Sequence, residues 1–152
     1  MRQAIDERLL LAQDVARAKW NTKTPIEDLP REELVIAAAV RQGASLGLPE
    51  AWVRSVFRAQ IEASKTVQRA LYHRWQAEDA GHFDDAPDLA QTIRPRLDRL
   101  TTQLLRAMAD NQAVLHDSNR KADVAVAMHP LQARALNRAA AEQALAPFLS
   151  PD

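Results

Sequence analysis

The sequence predicts an all-α fold, and three observations carry that prediction. The chain holds 29 Ala and 18 Leu against three Gly; Ala and Leu are strong helix formers, and Gly is the weakest after Pro. β-Branched and aromatic residues are scarce, and no strand-like alternation of useful length occurs. Apolar residues also return at three- and four-residue steps over long stretches, the period of one buried helix face. The 152 residues suffice for one domain with a real core and fall short of a comfortable two-domain chain. Residues 1–152 are therefore read as a single helical domain of about six helices with a long central helix.

The first helix is expected over residues 3–21, where Ile5, Leu9, Ala12, Val15 and Ala16 share one face. Asn21-Thr22-Lys23-Thr24-Pro25 ends it, because Pro25 forces its predecessor out of the α region. Pro30 suits the first turn of a second helix over residues 31–44, which closes near Gly43 and Gly47. Pro49 opens the long third helix, extended to residue 77, with Trp52, Val56, Phe57, Ile61, Val67, Leu71 and Trp75 on its inner stripe. Ser64 and Gln68 interrupt that stripe one turn apart and face the same way.

Residues 79–87, with Gly81 and a Pro, read as a loop. A fourth helix is expected over residues 89–115, bent or delayed around Pro95. Asp117 or Ser118 is placed as cap of a short fifth helix over residues 122–128, and Pro130 opens a sixth over residues 131–146. Pro147 and Pro151 close the chain.

Lys plus Arg and Asp plus Glu each total 20, a formal net charge of zero, which argues against a nucleic-acid binder or a polybasic membrane binder. The sequence has no cysteine, so disulfides, thiolate catalysis and Cys-based zinc sites are excluded. The longest apolar run, Leu34 to Val40, is far too short to span a bilayer. Met1-Arg2-Gln3 runs straight into a charged helical pattern, with no export signal visible. His73, His82, His116 and His129 show no metal-ligand spacing, and no metal is expected. Phosphate-binding glycine loops and the strand–turn–helix nucleophile motif are also missing. Trp20, Trp52 and Trp75 are read as core rather than as a ligand cage.

What remains is a set of cations and amides. Arg8 and Lys19 lie eleven residues apart on the first helix, almost three turns, so both point the same way about 16 Å apart along the axis. Ser64 and Gln68 project inward from the third helix, Asp28 and Arg31 stand at the entry to the second, and Arg94 opens the fourth. Arginines and lysines beside neutral hydrogen-bond donors suit a compact polyanion, above all a dicarboxylate. From the residues alone this is a helical domain with a possible anion pocket. Each cation taken singly reads more readily as a solvated surface charge, whereas a buried Gln68 needs partners.

Glu7-Arg8-Leu9, Ala18-Lys19-Trp20, Pro25-Ile26-Glu27-Asp28 with Arg31, and Val56-Phe57 through Gln60-Ile61-Glu62-Ala63-Ser64 resemble the all-helical AroQ-type chorismate mutases. Lys-Trp followed by Pro-Ile-Glu-Asp, with the long third helix, is similar to the exported, periplasmic (gamma) subclass. The specific motifs lie in residues 7–75, with a weaker one near Arg94.

The resemblance implies conversion of chorismate to prephenate by a Claisen rearrangement without cofactor or metal. It assigns Arg8 to a substrate carboxylate, Lys19 to a carboxylate and the ether oxygen, and Arg31 to the same anionic network. Asp28 is implied to place Lys19, Arg31 or the substrate's hydroxyl region, with Glu32 a weaker candidate for that hydroxyl. Ser64 is implied to bond a carboxylate and Gln68 to donate to the ether oxygen. Arg94 is the better candidate for the arginine that completes the site within one chain, with Arg96 the fallback. Where some relatives carry Glu, this chain has Gln68, an amide that donates at any ordinary pH. A homodimer and a periplasmic or secreted location are implied by resemblance only. Two alternatives stand beside this reading: an isochorismate pyruvate-lyase-like enzyme, and a non-enzymatic helical module whose polar stripe meets a partner helix.

Overall fold

The computed structural model describes residues 1–129 and 131–149; Pro130 and Pro151, which the sequence assigned to helix boundaries, lie outside the described residues. Eight α-helical segments form among those described: α1 (Arg2–Thr22), α2 (Leu29–Ala44), α3 (Glu50–Ala77), α4 (Arg94–Asp110), α5 (Gln112–Leu115), α6 (Lys121–Met128), α7 (Ala133–Leu136) and α8 (Arg138–Leu149).

Each boundary has a local cause. α1 ends with Lys23 in the left-handed conformation at φ 54°. The Thr24 N–H donates to the Lys19 carbonyl at 3.0 Å and the Lys23 N–H to that of Trp20 at 3.2 Å, the paired closure of a Schellman turn. Asp28 caps α2, accepting from the Arg31 N–H at 3.1 Å, while Glu32 reaches back to the Asp28 N–H at 3.3 Å, so two otherwise orphaned donors are satisfied reciprocally. Gly47, at φ +74°, makes the turn into α3.

The expected helix over residues 89–115 divides in three. Leu89–Ile93 is a π turn, capped by the Asp88 carboxylate; the Ile93 N–H bonds the Asp88 carbonyl at 3.1 Å, five residues back. Pro95 has no N–H to continue a regular ladder, and the wider turn ahead of it delivers the start of α4. Asn111 then separates α4 from α5. Asp117, not yet part of a helix, caps a 3-10 turn (Ser118–Arg120) ahead of α6. The expected helix over residues 131–146 is also broken, because Asn137 is extended and its side chain caps α8 through the Ala140 N–H at 3.0 Å. Pro147 lies inside α8 rather than closing it.

α3 is the central element, packed against α1, α2 and α8. Its stripe of Trp52, Val53, Val56, Phe57, Ala63 and Val67 meets Ile5 and Leu9 of α1, Leu104 and Leu105 of α4, and Ala144 and Phe148 of α8 in one core. Buried polar groups tie α8 to α3: Gln60 Nε2 donates to the Ala144 carbonyl at 2.8 Å and Trp52 Nε1 to that of Pro147 at 3.2 Å. A smaller cluster of Val15, Ala18 and Ile93, with Leu89 and Leu97 against it, seats the π turn on α1 and so carries Arg94 to the same side as Lys19. The three tryptophans separate. Trp20 and Trp75 meet edge-on at 5.5 Å, and Trp52 lies at the other end of α3 against His116 and Phe148.

α2, α3 and α4 meet at Gly43, where a Cβ would lie 2.9 Å from Val53 Cγ2 and 3.5 Å from a Leu105 methyl. Both neighbours are fully buried, so the overpacking outweighs the gain in helix propensity. Gly43→Ala is expected to lower stability by about 1–2 kcal/mol in urea unfolding; a variant as stable as the parent overturns this account of the junction.

Candidate active site

α1, α2, α3, the π turn and α4 surround one cavity of about 160 Å³. α1 contributes Arg8 and Lys19, and the entry to α2 contributes Asp28, Arg31 and Glu32. α3 contributes Ser64, Lys65 and Gln68, and Arg94 opens α4 beside Asp98 and Thr101. Every position assigned by resemblance lines this cavity. Arg96, the fallback, is exposed and does not line it.

Arg8 is 8% exposed. A guanidinium nitrogen donates to the Thr101 hydroxyl at 2.8 Å and to the Leu97 carbonyl at 3.2 Å, and the group lies over the Phe57 ring at 5.2 Å. Its Nε has no partner, and among the described residues Arg8 forms no ion pair. Burial pushes the guanidinium down to about 10, against the opposing charge of Asp98. A buried cation without a bonded anion is costly, and an anion entering the cavity relieves that cost.

Lys19 is half-buried, and its Nζ donates to the Ile26 carbonyl at 2.6 Å. Burial lowers its proton affinity; Asp28 and Glu32 pull it back up, and Arg94 and Lys65 push it down. Gln68 is 3% exposed, with Nε2 donating to Ser64 Oγ at 3.0 Å and Oε1 buried without a partner. Because a serine hydroxyl both donates and accepts, a half-turn of the amide keeps that contact and frees the NH₂ group for another acceptor. The site therefore offers guanidinium forks, an ammonium and a neutral amide, the donor set for a compact molecule with two carboxylates and an acceptor oxygen.

The family model for chorismate mutase type II matches residues 1–69. The chorismate mutase of Burkholderia thailandensis, known from its crystal structure, is 31% identical, with a TM-score of 0.80 over 97% of this chain and 95% of its own. The chain belongs to the chorismate mutase type II family. The crystal structure of the Burkholderia phymatum chorismate mutase is likewise 31% identical, with a TM-score of 0.88 over 97% of this chain and 92% of its own. The secreted chorismate mutase of Mycolicibacterium smegmatis is 32% identical over 113 residues, 74% of this chain and 62% of that protein. The chain thus spans about three fifths of that relative's length.

Sequence reasoning missed three groups at this cavity. Thr101 and the Leu97 carbonyl hold Arg8, and nothing in the sequence marks a helix hydroxyl or a backbone carbonyl as a guanidinium partner. Lys65, next to Ser64, is not part of the apolar stripe read from the sequence yet is 3% exposed. Its one available signal was its place among the acidic residues Glu27, Glu32 and Glu62.

The sign of the Arg8 contribution follows from its two pKa values. The guanidinium holds its proton less tightly in the folded chain than an ordinary arginine does, so the charged group subtracts stability at neutral pH, and the subtraction shrinks as pH climbs through about 10. Arg8→Met is therefore expected to melt no lower than the parent while losing the rise in Tm that a small dicarboxylate gives the parent. A variant that melts well below the parent, or that keeps the shift, overturns this.

Proposed function

We propose that the protein converts chorismate to prephenate. The observation that carries this reading is the charge of the cavity. Among the described residues five cations (Arg8, Lys19, Arg31, Lys65 and Arg94) and three carboxylates (Asp28, Glu32 and Asp98) line it, an excess of two positive charges in a chain of zero formal net charge. Chorismate is a dicarboxylate, and family membership and the names of the relatives support the same substrate.

The reaction is a rearrangement in which the ether C–O bond breaks as a C–C bond forms, with no proton gained or lost. Negative charge grows on the ether oxygen in the transition state. Lys19 and Gln68 are the groups placed to meet it, and they bind the transition state more tightly than the ground state, which is where catalysis arises. Arg8, Arg31, Arg94 and Ser64 hold the two carboxylates so that the side chain lies over the ring in a compact, reactive conformer. Asp28 and Glu32 keep the cations in place. No general base is required. Export and a homodimer accompany this reading through the subclass resemblance and the secreted relatives; light scattering tests the dimer.

The deciding experiment follows loss of the chorismate diene absorbance and identifies the product. The parent is expected to give prephenate, and Gln68→Ala and Lys19→Ala to lose activity by about 10²–10³-fold each with helicity unchanged. A well-folded parent that leaves chorismate intact overturns the proposal; salicylate and pyruvate from isochorismate would replace it with the lyase.

The pH profile gives a second test. Gln68 does not titrate, so the rate is expected to be flat between about pH 5 and 8. On the alkaline side it falls before the ordinary lysine range, since burial lowers Lys19 and deprotonation removes its donor charge. Gln68→Glu donates only when protonated and should recover activity toward acid pH. A steep alkaline loss already below about pH 8 in the parent that Lys19 does not account for overturns this assignment.

A further inference from the structure

Lys65 is a buried ammonium that adds to the charge of the cavity but has no assigned contact with the substrate in the proposed reaction. It lies 2.6 Å from Glu62 Oε1, 3.1 Å from Glu32 Oε2 and 3.4 Å from Glu27 Oε1. Three carboxylates are more than one ammonium needs for neutrality, and they come from three places. Glu62 shares α3 with Lys65, Glu32 lies in the first turn of α2, and Glu27 lies in the loop between α1 and α2. That loop supplies the Ile26 carbonyl on which Lys19 rests, one residue before Glu27. The other oxygen of Glu32 accepts the Asp28 N–H, so the Glu32 carboxylate joins Lys65 to the backbone two residues beyond Ile26.

We propose that Lys65 is a positioning residue of the site: it clamps the 23–28 loop and the start of α2 onto α3, and thereby sets Lys19 opposite Ser64 and Gln68. Lys65 lies within four residues of both groups on α3, and α3 is held by the main core. The loop has no core residue of its own, since Ile26 is only half-buried and its neighbours are exposed. Its placement therefore depends on polar ties, and Lys65 supplies two of them. Burial alone would lower the proton affinity of Lys65; hydrogen bonds to Glu62 and Glu32 and their charges outweigh it and raise the group above its ordinary value, so the clamp is charged throughout the working pH range.

The inference rests on the mutase reading for its kinetic consequence but not for its structural one. In Lys65→Met, hydrogen exchange of the peptide spanning residues 23–29 is expected to quicken about tenfold, and KM for chorismate to rise about tenfold while kcat falls less than about threefold. Lys65→Arg, which keeps the charge, should hold KM within about twofold.

Glu27→Ala separates clamping from simple attraction of an anion. Removing a carboxylate near the cavity would lower KM by charge alone, whereas loosening the loop raises it, and a rise of about threefold is expected. Unchanged exchange in Lys65→Met, or a KM for Glu27→Ala equal to or below the parent's, overturns the clamp. If Lys65→Met does not fold, Glu27→Ala, at an exposed loop position, decides through its exchange and KM. A parent that turns over no chorismate defeats the mutase reading, and loop exchange still decides the clamp.

Discussion

The character of the cavity depends on a guanidinium buried where α1, α3 and α4 meet. Arg8 lies among residues that would otherwise close a continuous core. Phe57 is beneath it, Leu9 is the next residue on α1, and Thr101 and the Leu97 carbonyl are at its tip. Its hydrogen bonds go to neutral groups, so its charge is solvated only in part, and burial shows as a proton affinity lowered to about 10. A fold selected for stability alone would place an apolar side chain there. Keeping the cation leaves a positive charge in the cavity before any anion arrives, and in the proposed reaction the donors need little reorganisation when charge develops between them.

That arrangement holds because α3 serves two purposes. One face carries Trp52, Val56, Phe57 and Val67 into the main core and binds α8 through Gln60 and Trp52. The turns that follow present Ser64, Lys65 and Gln68 to the cavity. Anchoring on the packed face limits how far the polar face can move, and positioned donors lose much of their effect with displacements of about 1 Å. Opposite it, the π turn does for Arg94 what the core does for Gln68. Ile93 is buried against Val15 and Ala18, so the arginine that follows it is directed to the cavity by an apolar neighbour.

Much of this was legible in the sequence, because helical periodicity and the Ala and Leu excess act locally. α1, α2 and α3 fall within about two residues of their expected limits, inside the ordinary uncertainty of helix ends. Misreadings arose where one polar side chain redirects the chain. Asn137 breaks an alanine-rich stretch by capping α8. The positions marked by resemblance gather at one cavity. Lys65 and Thr101 were invisible because their significance comes from contacts between distant segments: Thr101 touches a residue 93 positions away and Lys65 one 38 away.

The charge balance shows why composition and site point in different directions. Zero net charge argues against a polyanion-binding surface, yet it says nothing of a cavity in which cations exceed carboxylates by two. The carboxylates there are not wasted on an anion site. Asp28 caps α2 and raises the proton affinity of Lys19, and Glu32 bonds both the Asp28 N–H and Lys65. Five cations and no carboxylates in so small a volume would repel one another and lower Lys19 further. A site for a dianion at neutral pH is therefore better built from an excess of two within a mixed network than from cations alone, and the neutral amide of Gln68 adds a donor without adding to that repulsion.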